Sequence, residues 1–169
     1  MTILLAVANR HGSTYEIATA LAHELQEAGH TAIVRNAADV AATEPYDAVI
    51  IGSAVYMGAW LPEARHFVER HQARLQTVPV WLFSSGPLGR DDVQPHGAPA
   101  HLAELMQTTR AREHHLFAGK LDKAALGRGE RLVVSVVKAP EGDFRDWEAI
   151  RGWARAIAAA VPAPVVSAV

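Results

Sequence analysis

The chain has 169 residues, 50% apolar and 20% charged, the balance of a soluble globular domain long enough to bury a sizeable core. Its net charge of -2 and lack of any basic block exclude an electrostatically driven nucleic-acid binder. With no cysteine there is no disulfide, thiolate metal site or cysteine nucleophile, which fits a cytoplasmic setting.

Ile3 to Ala8 reads as a buried strand. The residues before it lack the basic start of a signal peptide, and no run approaches the ~20 apolar residues of a membrane span. Thr14 to Ala28 reads as a helix with Ile17, Leu21 and Leu25 on one face, stopped by Gly29. Thr31 to Arg35 is a short strand, and Asp47 to Ser53 is a nearly all-apolar one, as a strand covered on both faces should be. Pro62 to Leu75 is helical, with proline in the first turn. Val78 to Ser84 is a strand. Pro99 to Thr109 is a helix carrying Leu102, Leu105 and Met106 on one side. Glu113 to Ala118 is a weaker strand. Ala118-Gly119-Lys120-Leu121-Asp122 is a connector, and residues 130–139 are a further apolar element whose spacing suits helix or strand equally; it reads either as part of the core or as a surface for a partner or a lipid-soluble substrate. Asp146 to Ala159 closes the fold as a helix burying Trp147, Ile150, Ala154 and Ile157. Residues 1–160 form one domain on this reading, and 161–169, with Pro162 and Pro164, form a flexible tail.

This alternation predicts a doubly wound α/β fold with a five-stranded parallel sheet. Ligands of such sheets bind beyond the carboxyl ends of the strands, so the loops there carry the functional expectation. After the first strand stands Asn9-Arg10-His11-Gly12-Ser13-Thr14, directly before a helix. A helix start offers free N–H groups and a positive dipole end to a phosphate. The same residues also suit an ordinary capped helix start, with Ser13 or Thr14 capping and Glu16 in the first turn. After the third strand, Ser53-Ala54-Val55-Tyr56-Met57-Gly58 leads on to Trp60, with small residues leaving space and two aromatics able to stack on a flat ring. After the fourth, Ser84-Ser85-Gly86-Pro87-Leu88-Gly89 is again small and glycine-rich. Together the loops suit a mononucleotide.

Competing motifs are missing. There is no G-x-G-x-x-G after the first strand, no G-x-x-x-x-G-K-[ST], and no G-x-S-x-G elbow. Ala8 and Asn9 stand where a receiver domain would need acids. Histidines 66 and 71, like 96 and 101, are five apart, and His114-His115 face opposite ways in a strand, so no metal site is expected.

These loops resemble those of the flavodoxin family over residues 1–160. In that family's phosphate-loop pattern, hydroxyl-x-T-G-x-T, Gly12 and Thr14 match, while Asn9 and His11 replace hydroxyl residues. The chain is more specifically similar to the branch containing the menaquinone-dependent protoporphyrinogen IX dehydrogenases. That resemblance rests on His11-Gly12-Ser13-Thr14-Tyr15-Glu16-Ile17-Ala18, Ile51-Gly52-Ser53, Tyr56-Met57-Gly58, Phe117-Ala118-Gly119-Lys120-Leu121 and Asp146-Trp147-Glu148-Ala149-Ile150. It implies a flavodoxin-like strand order 2-1-3-4-5 and an FMN. The FMN phosphate would lie on residues 9–14 and its ring between 53–60 and 84–89, with the backbone near Gly58 facing the flavin N5. The flavin would carry the electrons, and no side chain stands out as a catalytic acid or base. The implied partners are a porphyrinogen and a quinone, with Leu132 to Val137 as a surface for quinone or for peripheral contact with the cytoplasmic face of a membrane. Two other readings stand beside this one. One is a soluble electron carrier, for which the mixed charge of Arg10, His11, Arg90, Asp91 and Asp92 is unlike an acidic docking rim. The other is a module with weakened flavin binding, suggested by Asn9 and His11.

Overall fold

The computed structural model describes residues 1–86, 98–121 and 142–161. Five parallel strands form the sheet: β1 (Thr2–Ala8), β2 (Thr31–Asn36), β3 (Ala48–Tyr56), β5 (Val80–Ser85) and β6 (Glu113–Phe117), in the order β2-β1-β3-β5-β6. The two-residue β4 (Ala59–Trp60) pairs antiparallel with the end of β3. Setting that short strand aside, the order is the expected 2-1-3-4-5. Leu5 lies beside Ile50 and Ile50 beside Trp81; β1 ends at Ala8 beside Ser53 and β5 at Ser85 beside Ala54, while β3 runs on to Tyr56. The chain leaves β1 in one direction, through α1 (Ser13–Glu27), to reach β2. From β3 it runs the other way, through α2 (Pro62–Leu75) and α3 (Leu102–Thr109). The crevice at the ends of β1 and β3 is therefore the switch point where such sheets bind ligands.

Side chains alternate across the sheet and build two cores. On one face Ile3, Leu5, Val7, Ile50 and Phe83 meet Ile17, Leu21 and Leu25 of α1 and Trp153 and Ile157 of α4 (Trp147–Ala160). On the other Leu4, Ala6, Val49, Ile51 and Leu82 meet Phe67 and Val68 of α2 and Leu105 of α3. The helix ends follow local chemistry. At the end of α1, Gly29 has φ +86° and donates to the Gln26 carbonyl, while His30 donates to Leu25, which closes the last turn. Asp146 caps α4 by accepting from the Ala149 N–H at 2.9 Å. Pro62 opens α2 as expected. No helix among the described residues is long and apolar enough to cross a membrane.

The structure departs from the sequence expectations at several places. Helix α3 begins at Leu102 rather than at Pro99. The preceding residues pair instead with the β3–β4 hairpin: Ala100 bridges Ala59 and donates to the Gly58 carbonyl at 2.8 Å. The stretch expected as a loop from Ser53 onward continues as strand to Tyr56, because β4 folds back on it. The connector after β6 contains β7 (Lys120–Leu121), paired antiparallel with β8 (Gly142–Asp143). Val161, assigned above to the tail, is 2% exposed and belongs to the α1/α4 core; residues 162–169 lie outside the described residues. So does the apolar stretch 130–139 between β7 and β8.

Candidate functional site

Two loops, after β1 and after β3, meet at the switch point. After β1, the Asn9 side-chain carbonyl accepts the Gly12 N–H at 2.9 Å and ties the loop into a turn. Gly12 takes φ +92°, a conformation costly for a side chain, and its carbonyl receives the first helical bond from Glu16 at 3.0 Å. The capped-helix alternative for Ser13 and Thr14 does not describe this turn. The cap position is Gly12, and no side chain caps α1. The Ser13 hydroxyl is instead buried without a hydrogen-bond partner, and Thr14 is 1% exposed. The first N–H groups of a helix have no intrahelical acceptor, so the turn gathers uncapped donors around an unsatisfied hydroxyl.

The second loop is a tight hairpin. Met57 and Gly58 have φ +50° and +78°, the pair of positive angles that joins two antiparallel strands in a two-residue turn. Met57 is 86% exposed at its tip. Arg10 lies over the Tyr56 ring at 4.4 Å, so the first loop and the hairpin touch directly. At the end of β5, Gly86 has φ +104° and donates to the Phe117 carbonyl at 2.9 Å. Pro87, Leu88 and Gly89 lie outside the described residues.

Beneath these loops the other predicted site residues form a support. Trp60 is buried in the α2 core and does not present its ring at the surface. Its indole N–H donates to the Ser84 Oγ at 2.7 Å, and Ser84 also bonds His114 Nε2 at 2.8 Å. The apolar core claims the Trp60 ring, which leaves Tyr56 as the aromatic of that loop beside the crevice. Burial pushes the His114 imidazole down to about 4, helped by the neighbouring His115 charge. Ser53 is fully buried: it accepts the Leu61 N–H at 3.0 Å and donates to the Ala54 carbonyl at 2.9 Å. Ser85 is buried as well. The adjacent histidines do diverge. His115 points to the opposite face, with its ring 4.4 Å from Phe117 and 5.5 Å from Trp153. No group of three metal-ligating side chains occurs among the described residues. Sequence reading missed His114 as a partner of Ser84 and missed Arg145, which reaches Glu16 across 129 residues; no local pattern marks either.

A doubly wound sheet with an uncapped, glycine-led helix start at its switch point defines a mononucleotide-binding α/β protein. A flavodoxin-domain family profile matches residues 4–148, and the chain belongs to that family. It is 26% identical to the Escherichia coli K12 protoporphyrinogen IX dehydrogenase [quinone], across 94% of this chain and 95% of that one. Among solved structures it superposes on a flavodoxin of Streptococcus pneumonia TIGR4 with TM-score 0.64 and 19% identity, covering 95% of this chain and all of that one. Oxidised flavodoxin 1 of Bacillus cereus gives TM-score 0.64 and 16% identity, over 96% and 100% of the two chains. Those structural likenesses establish the fold. Family membership brings FMN as the cofactor, and the protein is an FMN-binding flavodoxin-like redox protein.

Proposed function

We propose that this protein oxidises a porphyrinogen of the protoporphyrinogen type and delivers the hydrogen to a quinone. The observation that carries the reading is the end-to-end similarity to the Escherichia coli enzyme of that name, with 94% and 95% of the two chains covered. On this reading two hydrogens leave the tetrapyrrole in each cycle and two arrive on the quinone, giving a quinol.

FMN, when bound, supplies the electron chemistry, and the chain's own residues bind and orient it. Residues 9–14 would hold the phosphate, since the uncapped donors of Ser13 to Tyr15 and the partnerless Ser13 hydroxyl fit an anion. The Asn9–Gly12 bond sets the loop shape, so the family's hydroxyl at position 9 is replaced here by a side chain that orders the backbone. Residues 53–60 and 84–89 would hold the ring. Tyr56, held by Arg10, and the exposed Met57 would border it. Trp60, Ser84 and Ser53 fix the two strand ends from below. On the same reading the protein works in the cytoplasm, and Leu132 to Val137 would touch the cytoplasmic face of the membrane that holds the quinone.

The test is an FMN titration followed by turnover. Purified protein is expected to bind FMN and to oxidise protoporphyrinogen in a quinone-dependent manner. Tight FMN binding without that turnover, but with rapid reduction by a flavodoxin reductase, replaces the enzyme with an electron carrier. Protein that takes up no FMN overturns both.

A further inference from the structure

The side chain of Arg145 is 3% exposed, yet it holds two carboxylates from distant parts of the chain. Its guanidinium bonds Asp143 at 2.8 and 2.5 Å and Glu16 Oε2 at 2.6 Å, and it lies over the Trp147 ring at 4.4 Å. Asp143 belongs to the β7–β8 hairpin, two residues away. Glu16 belongs to the first turn of α1, beside the glycine-led loop. Its other oxygen, Oε1, would lie 3.7 Å from a Cβ placed on Gly12. A carboxylate at that position favours the helix dipole, but it also repels any anion that approaches the same N–H groups.

We propose that Arg145 is a positioning residue for the FMN phosphate: it neutralises Glu16 and holds it aside, so that the helix start presents net positive potential to the phosphate. This rests on the reading of residues 9–14 as the phosphate site. The guanidinium is enclosed while the Glu16 carboxylate stays half-exposed, so the pair is only partly screened by water. The hydrogen bonds that Arg145 donates to Asp143 and Glu16 raise its pKa, so its charge is constant at any working pH. Asp143, whose acidity the same contact increases, takes the second side of the guanidinium, and the nearby Lys120 offsets that extra carboxylate, so the two cations and two carboxylates sum to zero. Arg145 therefore acts on the phosphate through Glu16 and does not itself bind it.

The experiment titrates FMN and riboflavin, which lacks the phosphate, into the full chain and its variants by flavin-fluorescence quenching. Arg145→Gln is expected to lose about tenfold in FMN affinity, as for one uncompensated charge at a partly screened surface, while riboflavin binding changes less than about twofold. The loss should shrink at high salt. Glu16→Gln added to Arg145→Gln should restore FMN binding, and Arg145→Lys should largely retain it. Equal loss for both flavins would mean that Arg145 only locks the hairpin to α1, and the proposal fails. FMN loss that persists in the double variant would make Arg145 a direct ligand, and the proposal fails again. Should Arg145→Gln not fold, as read by circular dichroism, Glu16→Gln alone decides: FMN binding at least as tight as the parent's supports the proposal, and weaker binding overturns it. A parent with no preference for FMN over riboflavin refutes the phosphate site itself. A preference retained intact in Arg145→Gln refutes only the role of Arg145.

Discussion

Replacing Gly52 with alanine tests the packing that places the switch point. Gly52 lies inside β3, and an added Cβ would stand 2.1 Å from Phe83 Cζ and 2.2 Å from Cε1. Carbon atoms prefer ~3.5–4.0 Å, so the Phe83 ring must move by more than an ångström. It has little freedom to do so. Phe83 is fully buried, with the Phe117 ring 6.0 Å away and the Trp153 ring 6.3 Å away. Overpacking of a closed core costs about 1–3 kcal/mol, and this overlap lies on the ring itself, which points to the upper end. Alanine lowers unfolded-chain entropy and returns ~0.4–1 kcal/mol. The net loss is then about 2 kcal/mol, or a fall in Tm of roughly 4–8 °C for a chain of this size. Urea denaturation and thermal melts measure it. Adding Phe83→Leu should recover part of the loss, with a coupling of at least ~1 kcal/mol between the two sites. A Gly52→Ala protein as stable as the parent would refute the view that the Phe83 ring fills the glycine's space.

Gly12→Asp should weaken FMN binding by at least about tenfold, since it puts a side chain on a φ of +92° and a like charge beside the phosphate; titration checks it, and unchanged affinity moves the phosphate elsewhere. Trp60→Phe removes the indole donor from Ser84 and should cost about 1–2 kcal/mol in urea denaturation. For His114, the folded chain takes up its proton near 4 and the unfolded chain near the ordinary 6.5. Between those values the unfolded state binds more protons, so stability falls as the pH drops through that window. His114→Gln should show a smaller difference in urea midpoint between pH 7 and pH 4.5 than the parent; an equal difference would refute the assignment.

The sheet and its helices were legible because they follow from local period. Pro62 at the start of α2, Gly29 at the end of α1 and the apolar run of β3 carry their structural meaning in a few neighbouring residues. The loop at residues 9–14 was legible for the same reason, as a glycine before a helix at a strand end. Other features depended on which segments meet. The hairpin at Met57-Gly58 drew Ala100 out of the expected helix by backbone pairing. Trp60 read as a ring-stacking aromatic, but burial and the Ser84 hydroxyl turned it into a support. Nothing around Gly52 in the sequence shows that Phe83 of the neighbouring strand fills the space beside it. Arg145 shows the division most clearly. Sequence alone placed a glycine directly before a helix at the end of the first strand, within residues 9–14. Only the tertiary structure brought an arginine 129 residues away to the carboxylate beside it, because long-range charge pairing is set by how the elements pack, not by spacing along the chain.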